Sequence, residues 1–469
     1  MENTEVYDFR SFIRMLNESG NMDHVSREVD RSQELAGVMS KIEMKRRAFC
    51  FTNVKDAKFP LVGGLYNSLE RFGAALGHTG PEPFTHTDFD TRIEAAKARP
   101  IEPLTIASGP TKENIITGDA IDLHDLPIPT FFELDSGPFI TGAIGVARDP
   151  VSGELNIGIY RTLIIDRNHF VINASSMSDL RRIYATWEAS GQTMPIAIAL
   201  GVAPAMLIGA SCKLPPNTCE FGVAGGLVGE PMQLVKCEGS DLLVPADAEI
   251  VIEGTVNFSR RVENLLGEFA GQYGPEDAPM TRVNAITHRN DAMFYSIVAG
   301  RHPEHNTLGN VAVYGVQRSI TASIREATPE VKDINVRLTP EMGTLAHVVV
   351  SIDKHSDTQA KDIIKRIFAA DGHIFPVSKI TKRVIVVDDD IDVHDPVDVR
   401  WAIWNRAATE TKFIIIPGVE SWELERAAKA GQKSVRIGID ATMDLEDADK
   451  LQRPTIPGID EINLQDYID

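Results

Sequence analysis

The sequence predicts a mixed α/β protein with several domains, because of its length and because three different patterns of helix and strand signals follow one another along the chain. At 469 residues it is too long for one compact core. Residues 1–100 mix helix and strand signals, residues 101–310 contain short β-rich runs, and residues 311–469 alternate helices with apolar strands. We therefore predict an N-terminal α/β segment, a β-rich middle domain, and a C-terminal α/β domain that ends in an irregular tail.

The N-terminal segment carries clear helix and strand signals. Apolar residues at positions 9, 12, 13 and 16 recur at helical spacing, and Gly20 supplies a stop, which predicts a helix over 7–20. Residues 32–47 and 68–76 predict two further helices, and the run AFCFTNV between them predicts a strand.

The middle region has short strands close together, whereas the C-terminal region alternates strands with helices. Runs such as ITGAIGVARDP, LNIGIYRTLII and AEIVIEGTV are short and close together, which favours a sheet closed into a barrel or folded as a sandwich. A helix over 178–190, ended by Gly191, interrupts them. Farther along, helices at 358–370 and after Asp395 alternate with the strands RVIVVDD and KFIIIPG.

Bulk composition excludes several classes of function. The net charge of -20 argues against nonspecific binding of nucleic acid or anionic membranes, since phosphates would be repelled. The four cysteines form no CxxC pair, which is typical of a reduced compartment. The polar N-terminus resembles no signal peptide, and no apolar run approaches the roughly 20 residues that span a bilayer. We expect a cytoplasmic protein outside membranes.

The run NIGIYR is the first candidate for chemistry. On a strand, Asn156, Gly158 and Tyr160 would share one face and Arg161 would point to the other. Gly158 would allow a ligand to approach the backbone closely. An Arg within an apolar strand needs an anionic partner, which is either a ligand or a structural salt bridge.

Three acidic residues are further candidates. Glu263 and Glu268 flank an apolar step in ENLLGE, and a carboxyl group among apolar neighbours can deliver a proton near neutral pH. The alternative is two exposed glutamates on a helix. Glu220 is either a metal ligand or a surface residue. Together with Asn156 and a ligand phosphate it would suit Mg²⁺ or Mn²⁺.

The run RHPEHNTLGN contains His302 and His305 at a spacing that can present both rings to one metal. No third ligand is evident, and the run follows a strand rather than starting a helix. We interpret it as a loop that lines a pocket.

Several phrases together resemble the UbiD family of decarboxylases. They are LPIPTFF with DSGPFITGAIGVARDP, NIGIYR, VPADAEIVIEG, ENLLGEFAGQYG and VVDDDIDVHDPVDVRWAIWNR, and they run in family order from about residue 100 onward. The resemblance implies an N-terminal α/β part, a split β-barrel domain similar to flavin reductases, and a C-terminal α/β domain that mediates dimerisation. It places the active site between domains.

The resemblance also implies site residues. The family's catalytic Glu–Arg–Glu trio maps to Glu263, Arg161 and Glu268. Prenylated FMN would be held by a stretch of strand residues and two outlying side chains: Asn156, Gly158, Ile159, Tyr160, Arg161, Ser178 and Lys379. The metal, Mn²⁺ or Mg²⁺, would be bound by Asn156, Asp179 and Glu220, where Asp179 stands in place of the usual His. A K⁺ site would lie near Ser211 and Arg406.

The implied reaction is the non-oxidative, reversible decarboxylation of an unsaturated or aromatic acid. The modified flavin would take up the electrons, Glu268 would protonate the carbon, and Arg161 would hold the carboxylate or Glu263 and keep Glu268 in place. The polar HPEH run favours a pyrrole, furan or indole carboxylate. The implied partners are the acid, CO₂, a flavin prenyltransferase that supplies the cofactor, and a second copy of the chain or a larger homo-oligomer. Two alternatives are a flavin reductase and a cofactor-binding subunit without turnover.

Overall fold

The computed structural model describes most of the chain and divides it into two compact units. The residues described are 7–80, 82–176, 178–212, 214, 219–268, 270–338, 345–372, 376–420, 422, 425–428, 433–451, 453–454 and 456–468. The first unit runs to Val316, and the second contains Gln317–Leu338 and the residues from Leu345 onward. The predicted boundaries at residues 100 and 310 stay predictions.

The first unit begins with an α/β layer that follows the predicted signals. Asp8 caps the first helix by accepting a hydrogen bond from the amide of Ser11, and Gly20 has a φ of 69° just beyond its end. In sequence order the elements are α1 (Phe9–Glu18), β1 (Met22–Val25), α2 (Glu34–Glu43), β2 (Ala48–Phe51), β3 (Leu61–Gly63), α3 (Leu69–Ala75) and α4 (His86–Ala98). The first three strands form one sheet in that order.

The middle of the first unit is dominated by a large sheet. Its elements, with the helices between them, are β4 (Leu104–Thr105), β5 (Asn114–Thr117), β6 (Phe139–Ile140), β7 (Ala143–Arg148), β8 (Leu155–Ile159), β9 (Arg161–Asp166), β10 (His169–Asn173), α5 (Asp179–Ala189), β11 (Met194–Leu200), α6 (Pro204–Ser211), α7 (Glu220–Val228), β12 (Gln233–Lys236), β13 (Leu243–Pro245), β14 (Ile250–Gly267), β15 (Tyr273–His288), β16 (Phe294–Tyr295) and α8 (Pro303–Ala327).

The strand order of this sheet is β6-β9-β10-β15-β14-β11-β7-β8, with β5 added beside β15. Among the described residues its two end strands do not pair, so the sheet is open and the closed barrel we considered is wrong. The long β14–β15 hairpin is antiparallel over most of its length. Strand β16 joins β3 in the N-terminal sheet, and β4, β12 and β13 form a small separate sheet. Buried aliphatic and aromatic side chains fill both faces.

The second unit is an α/β layer with a five-stranded sheet. Its elements are β17 (Val331–Arg337), β18 (Ala346–Ile352), α9 (Gln359–Ala369), α10 (Val377–Ile380), β19 (Thr381–Asp388), α11 (Pro396–Arg406), β20 (Phe413–Val419) and β21 (Ser434–Ala441). The order β17-β18-β19-β21-β20 places the parallel strands at the centre. Asp395 caps α11 as predicted, by accepting a hydrogen bond from Val397 N at 2.7 Å.

One sequence prediction about local structure is wrong. The run that contains His302 and His305 is not a loop, because Pro303 begins the 25-residue helix α8. Proline is favoured at the first helical position, where its missing N–H costs nothing, and that signal was present in the sequence. None of the described helices is long and apolar enough to cross a membrane.

Candidate active site

The turn from β8 to β9 brings the residues of NIGIYR together as the alternation predicted. The hydroxyl of Tyr160 donates to Asn156 Oδ1 at 3.3 Å, so both side chains lie on one face. The ring of Tyr160 lies over Gly158 and its cross-strand partner Gly145. A Cβ atom at these positions would come within 2.5 and 2.7 Å of that ring's atoms. Gly158 therefore makes room for Tyr160, and Ile159 ends the strand half-buried beside it.

Glu220 lies against the same strand and is 6% exposed. Its carboxylate accepts hydrogen bonds from Asn156 Nδ2 at 3.0 Å and from the amide of Ile157 at 3.2 Å. Burial raises the pKa of Glu220 to about 7, and the nearby carboxylate of Asp179 adds to the shift. The same two carboxylates, after burial, raise the pKa of Tyr160.

The three residues predicted to bind a metal thus lie together. Glu220 and Asp179 are the first residues of α7 and α5, and Asn156 lies on β8. The described residues contain no cluster of three or more His, Cys, Asp and Glu side chains, but the predicted set consists of two carboxylates and an amide. Such oxygen donors suit a hard divalent cation, which would relieve the repulsion between the buried carboxylates.

Ser178 caps α5 rather than standing free. Its hydroxyl accepts a hydrogen bond from the amide of Arg181 at 3.3 Å and donates to Ser175 O at 2.9 Å. These bonds fix the start of the helix and hence the position of Asp179. A direct contact between Ser178 and the cofactor stays a prediction.

Arg161 and Glu268 form an ion pair at the centre of the unit. Arg161 Nη1 lies against Glu268 Oε1, and Nη2 lies 3.9 Å from Glu276 Oε1. The side chain of Glu268 is 4% exposed and that of Arg161 is 20% exposed, so the pair is largely removed from water while the arginine keeps an accessible edge. The resemblance implied that Arg161 keeps Glu268 in place, and the catalytic roles of both residues stay predictions.

Backbone and amide contacts hold the ion pair in place. The amide of Glu268 donates to Gln272 O at 2.7 Å, and Gly271, with a φ of 79°, closes this turn between β14 and β15. Asn173, the register partner of Arg161, exchanges two hydrogen bonds with Asn264, of 2.8 and 3.1 Å. This buried amide pair ties the strand beside Arg161 to the strand that carries Glu268.

Glu263 is placed differently. It is exposed, on the face of β14 opposite to the buried Asn264, and lies across from Asp277. Among the described residues the ion-pair partners of Arg161 are Glu268 and Glu276, and sequence reasoning missed Glu276. The catalytic role of Glu263 stays a prediction.

The two histidines of the HPEH run differ in their surroundings. His302 uses both ring nitrogens within the protein, with Nδ1 2.7 Å from Ala299 O and Nε2 2.8 Å from Ser40 Oγ. Burial is the main cause and the guanidinium of Arg161 the second, and together they lower the pKa of His305 to about 4. His305 is therefore a neutral imidazole close to the Arg161–Glu268 pair.

The remaining predicted residues are described by their contacts within their own units. Ser211 ends α6 and donates to Leu207 O at 2.9 Å. In the second unit, Lys379 lies on α10, and Arg406 is fully buried with ion pairs of 2.9 Å to Asp388 and 2.7 Å to Asp390. A phosphate contact for Lys379 and a K⁺ site near Ser211 and Arg406 stay predictions.

The chain matches three family models that together cover most of its length. They describe the Rift-related domain of 3-octaprenyl-4-hydroxybenzoate carboxy-lyase over residues 104–302, the C-terminal domain over 312–441 and the N-terminal domain over 13–87. An uncharacterized protein of Archaeoglobus fulgidus is 30% identical over 94% of this chain and 92% of its own length.

Two solved enzymes resemble the whole chain. The UbiD-class enzyme HmfF from Pelotomaculum thermopropionicum in complex with FMN is 32% identical, with a TM-score of 0.80 over 98% of this chain and 100% of its own. An evolved dimeric form of that enzyme was solved with prFMN, at 32% identity and a TM-score of 0.76 over 98% of this chain and 100% of its own. The vanillic acid decarboxylase of Sedimentibacter hydroxybenzoicus is 27% identical, with a TM-score of 0.78 over 97% of this chain and 98% of its own.

Proposed function

The chain belongs to the UbiD family of carboxy-lyases, and we propose that it decarboxylates an aromatic or heteroaromatic acid reversibly with prenylated FMN. The observation that carries this proposal is the ion pair of Arg161 and Glu268, buried beside the neutral ring of His305. A cation for the substrate carboxylate and a carboxyl group for proton transfer stand side by side there, which is what loss of CO₂ and protonation of carbon require.

The substrate class is inferred from relatives and from the polarity of the site. One similar enzyme acts on vanillic acid, an aromatic carboxylate. His305 lies near Arg161 as a neutral imidazole, a polar ring of the kind that recognises a heteroaromatic ring. These observations favour a heteroaromatic acid of the pyrrole, furan or indole carboxylate kind.

The residues present fit a flavin phosphate bridged by a divalent metal. Asn156, Asp179 and Glu220 supply three oxygen donors, of which the two carboxylates repel one another without a cation. Mn²⁺ or Mg²⁺ held there would bind the cofactor phosphate. The complexes of HmfF with FMN and with prFMN support the flavin in this proposal. The prenylated flavin, when bound, supplies an electron-withdrawing centre for decarboxylation.

The protein's own residues orient charge and move one proton. Arg161 binds the substrate carboxylate through its accessible edge while its other edge keeps Glu268 in place. The reaction consumes one proton for each CO₂ released, which Glu268 takes up from solvent before it donates that proton to the carbon; in the reverse direction Glu268 accepts the proton and releases it to solvent. Because Glu268 is nearly sealed from solvent, water does not compete for this step.

The test of the proposal is the variant Glu268→Gln in protein produced together with a flavin prenyltransferase. We expect it to retain the flavin absorbance and to lose CO₂ release from a panel of aromatic and heteroaromatic acids by about 10³-fold, since the amide cannot deliver a proton. Glu276→Gln, which alters the more distant carboxylate of the same arginine, is the matched control and should lose less than tenfold.

Normal CO₂ release in Glu268→Gln would remove the assigned proton donor. Consumption of NADH or NADPH by the wild-type protein, without CO₂ release from any acid, would replace the proposal with a flavin reductase. Full binding of the flavin with neither activity would replace it with a cofactor-binding subunit.

We also propose that the chain forms a homodimer through its second unit. That unit exposes large apolar side chains, with Trp404 82%, Val397 63% and Ile415 58% exposed, which is typical of a protein interface. Trp404→Glu should shift the mass in solution towards the monomer in light scattering, whereas Trp187→Glu, a partly buried tryptophan in the first unit, should not.

A further inference from the structure

A cavity of about 910 Å³ opens in the N-terminal part of the first unit, between α1, α3, α4 and the first turns of α8. It has the size of a site for a small organic molecule. Asn156, Arg161, Glu220 and Glu268 do not line it. Its lining includes two arginines and four aromatic rings, namely Arg46, Arg71, Phe84, His86, Phe89 and Tyr314.

The two arginines lack carboxylate partners. Arg71 is largely buried, and it donates to Gly64 O at 2.7 Å and to Arg46 O at 2.6 Å. Arg46 donates to Asn67 O. Within the part of the chain that the structure describes, neither guanidinium forms an ion pair, so both rest on neutral carbonyl groups. For Arg71, which is partly removed from water, the lack of a counter-ion is costly, and an anion at this place relieves that cost.

Arg46 and Arg71 are neighbours, since Arg71 Nη2 donates to Arg46 O. Burial lowers the pKa of Arg71, the buried Glu304 opposes this effect, the positive charges of Arg47 and Arg46 lower the pKa further, and Glu43 raises it. Two neighbouring cations repel one another less when an anion lies between them. The cavity wall therefore has a defined place for one carboxylate or phosphate group.

The lining of the cavity also offers flat aromatic surfaces. The rings of His86 and Tyr314 lie nearly parallel, with 6° between their planes and 6.4 Å between centroids. Phe84 and Phe89 lie deeper, edge to face at 6.4 Å. Such surfaces favour a planar ring, which stacks at little conformational cost.

We propose that this cavity binds a small molecule that carries an anionic group, carboxylate or phosphate, on a planar ring system. The anion lies at Arg46 and Arg71, and the ring lies against His86 and Tyr314. The site is separate from the candidate active site, so it is a second ligand site of the protein.

The proposal is tested by titration calorimetry at low salt on the full chain loaded with its flavin, so that the flavin site is already filled. The probes are AMP, benzoate and inorganic phosphate. AMP and benzoate distinguish a phosphate from a carboxylate ligand, and inorganic phosphate carries no ring. We expect AMP or benzoate to bind more tightly than inorganic phosphate.

Three variants locate the binding. Arg46→Gln should weaken it at least tenfold, because the side chain is exposed at the cavity and its loss does not disturb a core. Arg14→Gln, the matched loss of one exposed positive charge on the neighbouring helix α1, should change it less than twofold. Arg161→Gln should leave it unchanged, because Arg161 does not line the cavity.

Each contrary result overturns the proposal. They are no binding of any probe at millimolar concentration, equal binding to wild type and Arg46→Gln, an equal loss in Arg14→Gln, or loss in Arg161→Gln. If inorganic phosphate binds as tightly as AMP, and benzoate does not bind, the assigned contact with the ring is wrong.

Discussion

Glu268 and Glu304 are both buried in the first unit, and the protein compensates their removal from water in different ways. Glu268 has a guanidinium beside it, that of Arg161. Glu304 accepts hydrogen bonds from the amides of Gly64 and Tyr66, both at 2.8 Å, and from the Tyr295 hydroxyl at 2.9 Å. The first arrangement pairs the carboxyl group with a cation, whereas the second uses neutral donors to clamp a turn.

A second carboxyl group makes the contrast stronger. Glu43 Oε1 accepts a hydrogen bond from the amide of Glu304 at 2.6 Å, and neither glutamate is exposed. Burial raises the pKa of both, and the neighbouring Glu304 helps to raise that of Glu43 to about 8. In the candidate active site a cation lies beside the buried carboxyl group, whereas at the clamp burial disfavours the charged form of both glutamates.

The two sites meet at the start of α8. Glu304 lies in its first turn, and His305, the next residue, lies near Arg161. The clamp at Glu304 therefore fixes the helix end that presents His305 to the candidate active site. Three substitutions test this division of roles.

The largest effect is expected for Arg161→Met, which removes the cation beside Glu268. We expect kcat for CO₂ release to fall by about 10³-fold, or about 4 kcal/mol in the barrier. The flavin absorbance should remain, because the three metal donors are untouched. Arg260→Met, at an exposed position of β14, is the control. A variant with unchanged kcat would mean that Arg161 is a structural partner only.

A smaller effect, on stability, is expected for Glu304→Leu. The substitution leaves three buried donors without an acceptor, and each donor that finds no water costs about 1–3 kcal/mol. We expect the free energy of unfolding to fall by about 3 kcal/mol in total. The measurement is the shift of apparent Tm at pH 7, compared with Glu28→Leu at an exposed position. Equal shifts in the two variants would contradict the clamp.

For Glu43→Gln the expected effect is a change in the pH dependence of stability. Because the folded-state pKa of Glu43 is raised from its ordinary 4.5 to about 8, the folded protein holds this proton more tightly than the unfolded chain. Stability therefore falls as pH rises from about 4.5 through about 8, by at most about 1.4 kcal/mol per pH unit. Glutamine cannot ionise and should remove this slope.

The experiment records apparent Tm between pH 5 and 9 for both proteins. The wild type should lose stability relative to Glu43→Gln across this window, and the curves should run parallel above about pH 8.5. Parallel curves over the whole window would show that Glu43 titrates normally and that the contrast with Glu268 does not depend on protonation.

Several elements were predictable because their signals are local. The helix Phe9–Glu18 has apolar residues at helical spacing, an Asp cap and a Gly stop, and the structure places it there. By contrast, α6 and α7 were missed. Their glycines lower helix propensity, yet Gly209 and Gly225 allow backbones to approach so closely that a Cβ atom would meet a carbonyl oxygen at 2.8 Å. Packing between elements, which no local pattern shows, stabilises these helices.

The candidate site was predictable in part for the same reason. The alternation along NIGIYR placed Asn156 and Tyr160 on one face, and the structure confirms it. The run ENLLGE lies on and just beyond a strand. Side chains along a strand alternate between its two faces, so Glu263 and Glu268, five residues apart, lie on opposite sides. The approach of Glu276 to Arg161 depends on the register of the β14–β15 hairpin, which the sequence does not show.

By itself, the sequence determined the family, the class of fold, the chemical types in the site and the face on which Asn156 and Tyr160 lie, because these follow from local order and periodicity. Only the tertiary structure decided which carboxylates approach Arg161, which histidine lies near Arg161, and which buried glutamates lie next to one another. Those outcomes depend on contacts between residues far apart in the chain, and on the burial that gives each charge its cost.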